Sequence, residues 1–334
     1  MINNLYKNLH DEGLLSDESL HKIEKQQAKR LLSIFWEFKT VLYLGVLLLS
    51  SGLGILIYKN IDTIGHQFIL ALIAAISIGC LWYCEKRKFP FSNQKVQAPD
   101  TGFDYILLLG VLMVLVFIGY LQFQYEVFGN RYGMATFIPM VILFFCAYYF
   151  DHIGILSMAI ANLAIWMGVA VTPKALLAQL NFSNERFIYM YSLLGMLLLA
   201  AGYLSNRYQV KKHFSFSYDH YGIHVTYIAL LSGFFHYPYA WAILWIPPLG
   251  LLSWYIYQSA YRARSLYFML LAVLYTYIGV SGVVVRSLLL TNNSDIIQLI
   301  LIYFIVSGIG LIFQVISLNK KIKSLKDQKQ HVDI

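Results

Sequence analysis

The chain has 334 residues, of which 59% are hydrophobic and 13% charged, with a formal net charge of +8. Water-soluble domains carry about 25% charged residues, so this composition excludes a soluble globule. It also excludes a nucleic-acid arm as the explanation of the +8, because the basic residues are separated by long uncharged apolar runs rather than gathered on one solvated surface.

Residues 1–39 are the one sizeable polar region before the first apolar run. Ser16 is placed to cap a helix, with Asp17 and Glu18 in its first turn. Leu20, Ile23, Gln27, Leu31, Ile34 and Phe38 then recur at spacings of three and four, the pattern of an amphipathic helix. Such a stripe suits the inner leaflet or the bundle, and the alternative is a docking surface for a cytoplasmic partner. Leu9, Glu12, Gly13, Leu14, Leu15, Ser16, Glu18 and Ile23, just ahead of a polytopic apolar region, resemble the N-terminal signature of a bacterial family of predicted multi-pass membrane proteins catalogued as a domain of unknown function. The resemblance implies an inner-membrane protein and brings no catalytic residues with it.

A hydrocarbon core of about 30 Å needs about 20 apolar residues in helix. Ten runs meet that need, at 40–58, 67–84, 103–123, 134–150, 153–171, 187–204, 222–235, 240–257, 265–285 and 296–318. The seventh is the shortest. The expected fold is therefore an all-α, polytopic ten-helix bundle (40–318) between a cytoplasmic N-terminal module (1–39) and a basic tail (319–334). The first span serves as the targeting segment, with no cleavable signal ahead of it.

Basic residues near spans stay on the cytoplasmic side. Twenty of the 25 lie in 7–39, 86–95, 207–212, 262–264 and 320–329, and five, Lys59, Arg131, Lys174, Arg186 and Arg286, lie in the alternate connections. That asymmetry places both termini in the cytoplasm. Cys80, Cys84 and Cys146 then fall at inner span ends, on the reducing side, where disulfides are not expected.

Helices in lipid approach through small residues. Ala71, Ala75 and Gly79 form one such stripe and Gly154, Ser157, Ala161, Ala164 and Gly168 a second, and Gly45, Ser51, Gly52 and Gly54 in the first span, Gly279 and Gly282 in the ninth and Ser307, Gly308 and Gly310 in the tenth extend the pattern. Pro139, Pro247 and Pro248 remove backbone donors inside the bilayer and predict kinks.

No span carries a charged residue near its middle, which argues against a charge-relay transporter. The most central polar side chain is Asn162, one turn from Trp166. A titratable cluster at the inner side comprises Asp151, His152, Asp219, His220 and His224, with His213 nearby. His220 and His224 share a helical face, and His with carboxylate is a ligand set for zinc or iron. A membrane-embedded metal-dependent enzyme using these five residues is accordingly the alternative reading, against interfacial histidines bonded to headgroups and carbonyls. Tyr237, Tyr239, Trp241, Trp245 and His236 mark an outer aromatic belt, while Tyr275 and Tyr277 lie deeper and require partners inside the bundle. The substrate-contact candidates are Asn162, Trp166, His236, Tyr275 and Tyr277. The leading expectation is a non-enzymatic inner-membrane protein, without cofactor or metal, with lipids as partners. It binds or moves a neutral or lipid-like solute or supports an envelope complex.

Overall fold

In hydrocarbon every backbone amide must be satisfied within its own segment, and in the computed structural model every regular element among the described residues is helical. The described residues are 16, 35–129, 131–171, 185–291 and 295–332. They contain ten helices of 17 residues or more: α1 (Phe35–Ile64), α2 (His66–Arg87), α3 (Thr101–Tyr125), α4 (Tyr132–Phe150), α5 (Ile153–Val171), α6 (Glu185–Tyr208), α7 (Ser215–His236), α8 (Ile246–Arg262), α9 (Leu266–Leu289) and α10 (Ile296–Val332). Each coincides with one of the ten predicted runs. Eight of the segments are long and apolar enough to cross a membrane, which makes the protein a multi-pass membrane protein. The other two, α5 with its shorter apolar stretch Ile153–Gly168 and α7 with polar opening turns, fall below that standard. The amphipathic N-terminal helix and most of its family-like signature lie outside the described residues.

The chain divides into two compact units, Met1–Ile64 and Gly65–Ile334. In the first, α1 is apolar across Phe38–Ile55. In the second, α2 packs chiefly with α3, α4 with α5, α6 with α7 and α8 with α9, while α10 lies against α9.

The pairing of α2 with α3 corrects one expectation. Ala71, Ala75 and Gly79 are exposed, and the buried face is Ile69, Ile73, Ser77 and Cys84. The close approach is made by the partner's glycine: Ser77 Oγ donates to the Gly110 carbonyl at 3.0 Å, and a Cβ at Gly110 would stand 2.9 Å from that of Cys80. Helix α3 starts under the Asp100 side chain, which accepts from Phe103 N–H at 2.8 Å.

Helices α6 and α7 meet backbone to backbone. A Cβ on Gly195 would stand 2.7 Å from Thr226 N, and one on Gly222 would stand 3.0 Å from Leu199 N. Gly279 and Gly282 pack as expected, against Leu249 and against Phe234 with Phe235.

The prolines of the eighth run do not kink a helix; they begin one. A single helical turn, Tyr239–Ala242, and a 3-10 turn, Ile243–Trp245, precede α8, whose first two residues after Ile246 are Pro247 and Pro248. Amides of the first turn have no intrahelical acceptor, so a missing N–H costs nothing there. Pro139 by contrast is interior to α4.

Described connections gather at two ends of the second unit. At one end, the 88–100 segment, the Asp151 turn and the 209–214 segment meet, and Lys321 of α10 lies over Tyr261. At the other, Arg286 donates to the Phe235 and Tyr237 carbonyls. Helix α10, 37 residues long, continues into the basic tail, with Leu318 and Ile322 buried against Ala260 and Met269.

Candidate functional site

The titratable residues of the basic end occupy two separate places. Asp151 ends α4 in the left-handed conformation, with φ 58°, a backbone state that Asp tolerates better than most residues. The turn points its carboxylate inward, where it is 2% exposed and meets Lys211 Nζ at 3.1 Å, His213 Nε2 at 2.5 Å and the Val96 amide. The Lys211 amide in turn donates to the Asn93 carbonyl at 2.6 Å, and its ammonium stands 4.9 Å from the centre of the Phe91 ring. One carboxylate therefore gathers three connections. His152 next door is 7% exposed and caps α5, its Nδ1 accepting from Ile155 N–H at 3.1 Å. These are structural duties.

Asp219 lies elsewhere, on the second turn of α7 ahead of the apolar stretch that starts at Gly222. It lines a cleft of about 410 Å³ between α6, α7, α8 and the start of α9. Burial raises the Asp219 carboxyl pKa to about 6. Gly202 of α6 makes room for this side chain, since a Cβ there would overlap Asp219 Oδ1. Asn206, Ser259 and Ser265 add polar groups to the rim, while Leu199, Ile223, Ile256 and Phe268 form apolar walls.

On the neighbouring face of α7, His220 and His224 engage α9. Tyr267 OH is 2.6 Å from His220 Nδ1 and 3.4 Å from His224 Nε2, and His224 Nδ1 is 2.6 Å from Tyr275 OH. Tyr275 stacks on Tyr227 with ring centres 4.6 Å apart. Tyr227, fully buried, donates to Ser253 Oγ on α8 at 3.0 Å.

The five-residue metal cluster Asp151, His152, Asp219, His220 and His224 is thus not assembled. Among the described residues no group of three His, Cys, Asp or Glu side chains is arranged to hold a metal ion. The reason is connectivity: the α4–α5 turn is tied to the 209–214 segment by Lys211 and His213, whereas the two α7 histidines face α9. Cys80, Cys84 and Cys146 are free thiols.

The substrate-contact candidates also disperse. Asn162 Oδ1 is buried without a hydrogen-bond partner among the described residues, and Trp166 packs on Phe137 at 5.4 Å between ring centres. His236 stands 3.9 Å from Glu185 at the opposite end of the bundle. Tyr275 and Tyr277 do find the partners expected of them, His224 and, at 3.1 Å, Ser307 of α10. Tyr277 also lines a second cleft, of about 430 Å³, with Ser253, Thr276 and Gln314. Sequence reading missed Lys211, counted only as a loop charge, Tyr267 and Gly202. No local pattern marks them, since their partners lie 60, 47 and 17 positions away, at Asp151, His220 and Asp219.

Residues 7–156 match the family model of a predicted membrane protein, DUF2157. That agrees with the resemblance carried by Leu9 to Ile23. No curated protein and no solved structure matches the chain. The DUF2157 match runs from the N-terminal module into the first turn of α5 and includes Asp151 and His152, while the Asp219 cleft and the His–Tyr contacts of α7 and α9 lie beyond it.

Proposed function

We propose that the protein is a non-enzymatic inner-membrane protein that holds a lipid-like solute in the Asp219 cleft. The observation that carries this reading is the lining. Pockets for small molecules measure about 300 to 1,000 Å³, with mostly apolar walls and a few placed polar groups, and the cleft of about 410 Å³ has that make-up. Its polar rim lies at the basic end of the bundle and its apolar wall follows α6, α7 and α8 into the membrane. An amphiphile would set its headgroup against Asn206, Asp219 and Ser259, and its chain along Leu199, Ile223 and Ile256. The twenty-to-five division of basic residues supports a ten-span arrangement with this end and both termini in the cytoplasm.

Native mass spectrometry of the full chain released from detergent tests the reading. The wild type is expected to retain a bound amphiphile, and Ser259→Trp, which fills the cleft from an exposed position, is expected to lose it. Leu301→Trp, on the exposed face of α10, is expected to keep it. Equal loads in the wild type and Ser259→Trp, or none in the wild type, would overturn the proposal.

A further inference from the structure

The contacts between α7 and α9 at the basic end present three donor atoms around one hydrogen. Tyr267 OH sits between His220 Nδ1 at 2.6 Å and His224 Nε2 at 3.4 Å. His220 and His224 are one helical turn apart with ring centres separated by 4.8 Å. The other nitrogen of His224 also has a partner: Nδ1 is 2.6 Å from Tyr275 OH, and in the tautomer with its proton on Nδ1 the Nε2 lone pair faces Tyr267. When Tyr267 donates its hydroxyl hydrogen to His220 Nδ1, that nitrogen likewise presents a lone pair. In these tautomers two imidazole lone pairs flank one phenol oxygen at the contact of α7 with α9.

We propose that His220, His224 and Tyr267 form a binding site for a divalent transition-metal ion of the zinc type. Imidazole nitrogens bind zinc at about 2.0 to 2.1 Å, so a tetrahedral ion would separate its ligand atoms by roughly 3.3 Å. The 3.4 Å between His224 Nε2 and Tyr267 OH is close to that, and the hydrogen-bonded 2.6 Å between His220 Nδ1 and Tyr267 OH would open when the ion replaces the proton. On binding, the hydroxyl proton of Tyr267 leaves to solvent and the phenolate oxygen takes its place on the metal. No electron is transferred. Tyr275 acts as the positioning residue, since a hydrogen bond to the distal nitrogen fixes the tautomer and ring orientation of a ligating histidine. Tyr267 is 40% exposed, which supplies an entry path and leaves the fourth position to water or a ligand. None of its three ligands lines the Asp219 cleft, so the site stands or falls separately from it.

The test uses the purified full chain, stripped with chelator and reloaded with Zn²⁺ or with Co²⁺ as a spectroscopic stand-in. One ion per chain and the visible bands of four-coordinate cobalt are expected. His220→Ala and His224→Ala should each abolish both signals. Tyr267→Phe keeps the ring that packs on Phe216 and Phe268, so it should fold and still alter the cobalt spectrum. Tyr275→Phe should weaken binding about 10- to 100-fold. Absence of stoichiometric metal in the reloaded wild type, retention in both histidine variants, or an unchanged cobalt spectrum in Tyr267→Phe would overturn the proposal.

Discussion

Gly202 and Asp219 compete for one volume: a methyl group on α6 at residue 202 would overlap the carboxyl of Asp219 on α7. The contact at Gly195 is harder, because the obstruction there includes the backbone nitrogen of Thr226 at 2.7 Å, which cannot rotate away. Overpacking costs about 1 to 3 kcal/mol. Gly195→Ala is expected at or above the top of that range and Gly202→Ala lower, because a side chain can yield. Gly79→Ala, with nothing within 4 Å of its Cβ, should not destabilise the protein. Denaturant unfolding in detergent ranks the three, and a Gly79→Ala as damaging as Gly195→Ala would contradict the packing described.

Asp151 and Lys211 make a different kind of contact. Their side chains are 2% and 1% exposed and 3.1 Å apart. Removing one member of a buried pair leaves the other charge without its counter-ion, at a cost of about 3 to 5 kcal/mol. Asp151→Ala is expected to cost that much and to speed amide exchange in 88–100, which loses its anchor at Val96. Exchange in 88–100 at the wild-type rate would show that the carboxylate does not hold it.

Tyr277→Phe removes one hydrogen bond between α9 and α10, to Ser307. Interhelical bonds of this kind average about 0.6 kcal/mol, so the variant should unfold almost as the wild type does. A loss of several kcal/mol would mean that the hydroxyl serves more than one partner.

Topology is open to direct labelling. A cysteine replacing Lys59 should react with an impermeant maleimide applied to intact cells, and one replacing Lys95 only after permeabilisation. The reverse result would turn the bundle over and move the Asp219 cleft to the outer face.

Much of this architecture is legible in the sequence, for a physical reason. Lipid forces each apolar run into a helix, so ten runs appear as ten helices, and polar rings set deep in a span must find bonds, as Tyr275 and Tyr277 do with His224 and Ser307. Facing is less legible. Ala71, Ala75 and Gly79 have the right spacing to pack, yet Ser77 and the backbone at Gly110 decide which side of α2 is buried. Pro247 and Pro248 lie in an apolar run whose continuity hides the helix start at Ile246. The site itself is least legible, since Asp219 is admitted by a glycine on another helix and the α7 histidines are met by Tyr267 and Tyr275 of α9.

The Asp151 knot has a mechanical consequence. By joining the α2–α3, α4–α5 and α6–α7 connections at a single carboxylate, it gives three helical hairpins a shared pivot. Relative motion among them would have its smallest amplitude at that pivot and grow toward the opposite end of the helices, where Glu185, His236 and Arg286 stand. A conformational change in this protein would therefore splay the far ends while the basic end holds its shape.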